Sequence, residues 1–418
     1  MYHRRAAVYA GVFNMPSSSR LNPQHLAAFH RGMDQFIETS AVPGIVTLIA
    51  CADEVDVHTA GSFTPHGEQP VQRDTIFRIA SITKPIAAAA TMMLVDDGRL
   101  RLDDSIEPWL PELANRRVLR SISSPLDETV PAHRSITVRD VLTYTFGFGS
   151  VMAAPGTYPI QKPVAEGHLG GDGPPHASLT PGTDEWMRRL GALPLMYQPG
   201  ERWLYNTGGD LLGVLVSRVA GKTFEAFLQE RLFGPLGMKD TAFSVPTEKL
   251  HRLPPLYASD HQSGGLQIFD PAAQESECAH SPAFQSGAGG LVSTADDYFA
   301  FCRMMLNRGL WRGKRLLSEA AIDGMTTDQL TPQQRQGADI FFRDDMSWTL
   351  GMGVILRQAH PWFVPGRFGW DGGFGTSAYS DPKNDFIGIL LTQRMMDSPE
   401  PPPVFNAFWS LAYKTIEA

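Results

Sequence analysis

Ser81 and Lys84 stand three residues apart in Ser81-Ile82-Thr83-Lys84, at the head of an apolar, alanine-rich run from Pro85 to Leu94 that reads as a buried helix. Residues i and i+3 share a helix face, so the amine and the hydroxyl lie one turn apart. A lysine whose pKa is lowered by burial can take the serine proton and make the oxygen a nucleophile. That is the chemistry of a serine acyl-enzyme. The strand-like Thr75 to Ala80 precedes the pair, and the helix start places Ser81 where the positive end of the dipole favours an oxyanion. The competing reading makes Ser81 a plain N-cap and Lys84 a solvated first-turn residue.

Context separates this pair from a second Ser-x-x-Lys at Ser380-Asp381-Pro382-Lys383. About one such match arises by chance in a chain of this size. Ser380 lies in a polar cluster between two apolar runs, which spells a hairpin turn, and Pro382 excludes an ordinary helix interior. Its lysine is expected to point into water.

The elements that must carry the Ser81 site come from both ends of the chain. Leu21 to Ser40 has helical periodicity, and Gly44 to Cys51 followed by Val55 to Gly61 reads as a hairpin. Thr137 to Thr143, Thr183 to Leu190, Asp210 to Ala220 and Thr223 to Leu232 read as helices in a middle region poor in strand signals. Asp296 to Leu306 is predicted helical, capped by Ser293 or Thr294. Thr349 to Arg357, Arg367 to Gly372, Thr376 to Asp381 and Asp385 to Gln393 read as strands, and Val404 to Ile416 as a closing helix. The expected architecture is a sheet built from residues 1–105 and 286–418, with a mostly helical lobe, 106–285, inserted between them. Within that lobe Met152 to Gly182 is dense in Gly and Pro and is expected to be a structureless active-site rim or a passive insertion.

Composition narrows the class. The chain has 418 residues, 43% of them hydrophobic, enough for a large core. A formal charge of -8 with no basic block argues against nucleic acid and anionic membranes as partners. Small-molecule substrates fit better. Cys51, Cys278 and Cys302 lack metal-ligand spacing and read as buried thiols of a reducing, cytoplasmic compartment. Met1 to Phe13 is too short and interrupted for an export signal, and no apolar run is long enough for a membrane helix. The histidines show no metal spacing, with His58, His66 and His133 read as surface loop residues. No Gly-x-Ser-x-Gly elbow, His-Glu-x-x-His, phosphate loop or intact dinucleotide fingerprint occurs, so no metal and no cofactor is implied.

Four segments in order carry a family resemblance: Ser81-Ile82-Thr83-Lys84; Ile136 to Gly147; Pro199-Gly200-Glu201-Arg202-Trp203-Leu204-Tyr205-Asn206-Thr207-Gly208-Gly209-Asp210; and Gly289-Gly290-Leu291-Val292-Ser293-Thr294-Ala295-Asp296-Asp297. Over roughly residues 25 to 415 the chain resembles the serine hydrolases related to class C β-lactamases and penicillin-binding proteins, most of all the family VIII carboxylesterases. The resemblance implies an α+β fold of the β-lactamase/transpeptidase type, with helices flanking an antiparallel sheet.

By position, it implies Ser81 as acylated nucleophile, Lys84 as its partner and Tyr205 as the catalytic tyrosine. It places the oxyanion on the backbone amides of Ser81 and Gly373, and the substrate against Trp370, Gly372, Asn206 and Thr207. Two departures bear on substrate. The related lactamases carry an asparagine two residues after the tyrosine, whereas here Asn206 is adjacent and Thr207 follows. Their third motif, Lys-Thr-Gly, is matched by Trp370-Asp371-Gly372-Gly373, so an indole stands where a cation holds the lactam carboxylate. That favours hydrolysis of small or medium carboxylic esters over a β-lactamase or D-amino-acid peptidase. A non-catalytic ligand-binding protein of the same fold is the alternative of another class, and the presence of Ser81, Lys84 and Tyr205 together argues against it. Specificity is expected from the Met152 to Gly182 rim and the residues near Phe374.

Overall fold

The computed structural model describes residues 19–170 and 176–416. The stretch Met1 to Phe13 and the segment Gly171 to Pro175 lie outside the described residues. Seven strands form one antiparallel sheet: β1 (Gly44–Cys51), β2 (Glu54–Gly61), β3 (Met346–Trp348), β4 (Gly353–Ile355), β5 (Phe368–Gly372), β6 (Thr376–Asp381) and β7 (Phe386–Thr392), in the spatial order β3-β4-β5-β6-β7-β1-β2. The two chain ends join where β1 pairs with β7, from Ile45 opposite Thr392 to Cys51 opposite Phe386.

Both strands are buried along their whole length, as their largely apolar sequences require, because helices cover both faces. On one face lie α1 (Pro23–Glu38) and the helix closing the chain, Pro403–Lys414, packing Phe29, Met33, Phe408 and Trp409 onto the sheet. Asn22 starts α1 by accepting the amides of Gln24 and His25, with Pro23 in the first turn. The other face carries α4 (Ala295–Leu306, capped by Thr294), with α2 (Thr83–Asp96) and, packed against α2, α3 (Thr207–Ala220) in the same larger core. The alanine run of α2 serves close approach: a Cβ on Gly351, whose φ is 105°, would come within 2.1 Å of the Ala88 Cβ.

Several expectations need correction. Thr349 to Arg357 is not one strand; a turn through Thr349 to Met352, forced by Gly351, separates β3 from β4. The middle region holds two short ribbons, Arg117–Leu119 with Thr129–Pro131 and Leu256–Ser259 with Leu266–Asp270, on segments too short to show a period. The rim is not structureless, since Gln161–Glu166 is helical. His58 lies on β2 rather than in a loop, bonded to Asp34 at 2.8 Å and stacked on His30. Cys278 is only part-buried and opens on the cleft described below, while Cys51 and Cys302 are buried. The second Ser-x-x-Lys does form the turn between β6 and β7, with Lys383 exposed. Among the described residues no helix is long and apolar enough to cross a membrane.

The feature that matters for chemistry is an open sheet edge. β4 pairs with β5 only at Phe368 and Gly369, so from Trp370 to Gly372 the outer edge of β5 has no strand partner among the described residues. That edge faces the head of α2.

Candidate active site

Ser81 sits in a 3-10 turn, Ala80–Ile82, and α2 begins just after it at Thr83. The turn is held on both sides. Phe77–Arg78 pairs with Val292–Ser293, the Ile79 amide donates to Leu291 O at 3.0 Å, and Thr376 Oγ1 on β6 donates to Ile79 O at 2.9 Å. Ala80 carries a φ of 45° to make the corner.

Lys84 is fully buried and its ammonium has three acceptors: Ser81 Oγ at 2.8 Å, Asn206 Oδ1 at 3.0 Å and Ala288 O at 2.6 Å. Desolvation pulls its pKa down to about 7, against the opposing field of Asp210. A neutral amine keeps two N–H groups and one lone pair. Asn206 Oδ1 and Ala288 O can take the two hydrogens, which aims the lone pair at Ser81.

Tyr205 reaches the same point from the middle region. Its backbone is cradled by the Tyr144 to Ser150 loop, through Leu204 N to Tyr144 O and Ser150 N to Tyr205 O, both at 2.9 Å. Gly208 and Gly209 let the buried Tyr144 ring lie against the first turn of α3, where added Cβ atoms would come within 2.5 and 2.7 Å of it. The Tyr205 hydroxyl shares a hydrogen bond with Ser81 and accepts one from Trp370 Nε1 at 2.9 Å. Its ring lies 4.5 Å below the Lys84 ammonium and packs on Phe341 with centroids 4.6 Å apart. Burial raises the Tyr205 phenol to about 12, despite the hydrogen bonds from Ser81 and Trp370. The hydroxyl, the amine and the phenol therefore converge, with the lysine as the group that titrates near neutrality and the tyrosine as a protonated donor.

Gly373 ends the open edge of β5 and lines the cleft together with Ser81. Its carbonyl is fixed by the Met396 amide at 2.8 Å, and a Cβ there would meet nothing within 4 Å, so the glycine leaves the space beside its amide to a substrate. Trp370 and Asn206 also line the cleft. Thr207 and Gly372 do not. Thr207 is buried as the first residue of α3, and Gly372 packs against Ile79 O and Thr376 Oγ1 behind the nucleophile turn.

Asp210, Ala288 and Phe341 escaped the sequence reading. Asp210 accepts from Ser286 Oγ at 2.5 Å and the Ala288 amide at 3.2 Å, and so holds the carbonyl that Lys84 uses. Burial raises its pKa. Its place in the first turn of the helix that follows Asn206 was the available signal. The whole cleft has a volume of ≈ 800 Å³.

A sheet edge, a helix-borne lysine beside a serine, and a tyrosine from the middle of the chain meet on a β-lactamase/transpeptidase fold, and the protein is a serine hydrolase of that fold. The family profile described as Beta-lactamase matches residues 29–404, and the chain belongs to that family. It is 38% identical over 336 residues to Protein Rv1367c of Mycobacterium tuberculosis, spanning 78% of this chain and 80% of that protein. It is 30% identical over 387 residues to the lovastatin esterase of Penicillium rubens, spanning 86% and 91%. Among solved structures, EstCE1, a hydrolase with promiscuous acyltransferase activity, superposes with a TM-score of 0.76 at 21% identity over 93% of this chain and 99% of its own. That last likeness is one of fold.

Proposed function

We propose that the protein is a carboxylesterase that works through an acyl-enzyme on Ser81, with esters of small or medium acyl chains as substrates. In this reading the lobe 106–285 supplies Tyr205 and Asn206, and the lobe of 1–105 with 286–418 supplies Ser81, Lys84, Trp370 and Gly373. Neutral Lys84 takes the Ser81 proton as Oγ attacks the ester carbonyl. The amides of Ser81 and Gly373 hold the oxyanion, Tyr205 hands its proton to the departing alkoxide and recovers one from protonated Lys84, and Lys84, neutral again, takes the proton of the deacylating water and returns it to Ser81 as the acid leaves.

The observation that carries this reading is the 2.8 Å contact from Lys84 to Ser81 on a fully buried amine whose pKa is near 7. Ester over lactam is supported by Trp370, whose N–H is committed to Tyr205 and which offers no cation to a lactam carboxylate. An esterase in the name of a relative spanning most of this chain agrees with it. Unpaired cysteines fit a cytoplasmic setting.

Pre-steady-state kinetics with p-nitrophenyl acetate and nitrocefin side by side test the reading. A burst with the ester and none with the lactam is expected. A nitrocefin burst without ester turnover reverses the assignment to a lactamase, and silence with both favours a binding protein.

A further inference from the structure

Trp370 and Asp371 are neighbours on β5 and so project to opposite faces of the sheet. Trp370 meets Tyr205; Asp371 points to the face carrying the closing helix, where Ser377 of β6 stands opposite it. Ser377 Oγ donates to Asp371 Oδ1 at 2.5 Å and Tyr379 OH to Oδ2 at 3.4 Å, while Trp409 Nε1 anchors Ser377 at 2.9 Å. Yet the cleft that holds Ser81 also reaches Asp371. It can do so because the outer edge of β5 is open here, so one continuous space passes around the strand end at Gly373. The far arm is walled by Trp362, Phe363 and Trp409.

Asp371 has no ion-pair partner among the described residues. Arg367 shares its face four residues earlier, lines the same cleft and lowers the Asp371 pKa through its field, but Tyr379, opposite Gly369, stands between them and the two form no ion pair. The guanidinium of Arg367 is held over Trp409 at 3.8 Å and Tyr379 at 4.2 Å, and donates to Trp362 O at 2.7 Å. Of the other charged groups on the cleft, Asp397 pairs with Arg394, His360 and Glu400 are exposed, and Asp345 lies beside Arg343 with its Oδ1 buried and without a hydrogen-bond partner among the described residues. Tyr205, on the reaction side, is held protonated. Burial raises the Asp371 carboxyl to about 6, so it is ionised in mildly alkaline solution. A carboxylate with spare lone pairs among aromatic walls suits a weakly hydrated organic cation, which gains from both the charge and the ring faces.

We propose that the arm of the cleft beyond Gly373 is a subsite for an alkylammonium group, and that the preferred esters carry such a cation at the end of one arm. The assignment rests on the esterase reading above. Exposed Arg343 lines the same cleft and would favour the opposite charge.

The test compares acetate esters of ω-trimethylammonio alcohols of increasing chain length with isosteres in which carbon replaces nitrogen, and with carboxylate-ended esters. At one length, in low salt at about pH 8, kcat/KM for the cation should exceed that for its neutral isostere by about tenfold, with the carboxylate slowest. In Asp371→Asn the cation-to-neutral ratio, taken within each protein, should fall to about one. A ratio near one at every length in the wild type, a preference for the carboxylate, or a ratio unchanged in a folded Asp371→Asn overturns the proposal. Should Asp371→Asn fail to fold, the wild-type length series decides alone. Turnover of p-nitrophenyl acetate with no cation preference removes only the subsite; absence of all ester turnover removes the esterase reading itself.

Discussion

The side chain of Asn206 reaches the Lys84 ammonium at 3.0 Å from a backbone held at φ 77° and ψ -68°. The Thr207 amide donates to Tyr205 O at 3.1 Å, which closes a three-residue γ-turn of the rare positive-φ kind. Such a conformation costs on the order of 1–3 kcal/mol and persists where the surroundings over-determine it. Here the turn sets two consecutive side chains on one target, Tyr205 at Ser81 and Asn206 at Lys84. It also absorbs the missing residue between tyrosine and asparagine that distinguished this sequence from the related lactamases.

Asn206→Gly should therefore separate stability from activity. Glycine accepts this backbone without strain, so the melting temperature should hold or rise. The amine loses one of its fixed acceptors, and kcat/KM should fall by about tenfold or more. Calorimetry and steady-state kinetics on the same preparation check both, and a clear loss of melting temperature would count against a strained turn.

The pH profile follows from Lys84. In the proposed mechanism the amine works only when neutral, so kcat/KM should fall toward acid with a limb near its pKa of about 7. The carboxylate of Asp210 works against that depression by favouring the charged lysine. Asp210→Asn removes the field, and the limb should move to lower pH. The plateau should drop as well, because the Ala288 carbonyl loses its anchor. A limb that moves to higher pH would show that Asp210 does not act through the lysine charge.

What was legible in the chain divides along physical lines. The Ser81–Lys84 pair was readable because helix periodicity alone puts them together, and the surrounding apolar run announced burial. The sheet from two chain ends was readable because β1 and β7 are largely apolar runs of strand length. The acceptor at Ala288 was not, since a backbone carbonyl leaves no side-chain signature. Phe341, which covers Tyr205, sits in a four-residue helix, Asp339–Phe342, too short to show a period. Arg78, three residues before Ser81, is buried in a pair with Asp270 of the middle region, a contact spanning 192 residues that no local pattern announces. Thr207 was misplaced because the motif spacing of the relatives was carried past the contraction at Asn206.

Ser81→Ala should abolish covalent labelling by a fluorophosphonate while leaving the melting temperature nearly unchanged, since the hydroxyl is part-exposed and borders open cleft. Turnover should drop by several orders of magnitude, as removal of a nucleophile does in other serine hydrolases. Mass spectrometry of the labelled protein locates the adduct. An adduct that survives the substitution would transfer the nucleophile elsewhere.

Tyr205 and Trp370 can be told apart by the leaving group. With its pKa at about 12, the phenol stays protonated across the working range, so in the proposed mechanism it donates a proton rather than removing one. A p-nitrophenolate leaves without help; an alkoxide does not. Tyr205→Phe should then slow ethyl or benzyl esters far more than p-nitrophenyl esters of the same acid, with the acid limb still set by Lys84. Trp370→Phe keeps the phenol but removes the indole N–H that holds its oxygen at 2.9 Å. Losing one such positioning bond is worth about 1 kcal/mol, or roughly five- to tenfold in rate, again larger for the alkyl ester. If both substitutions slowed the two ester classes equally, the tyrosine would be acting on Ser81 in the attack step, because that step is common to all substrates, and the division of labour between amine and phenol would have to be exchanged.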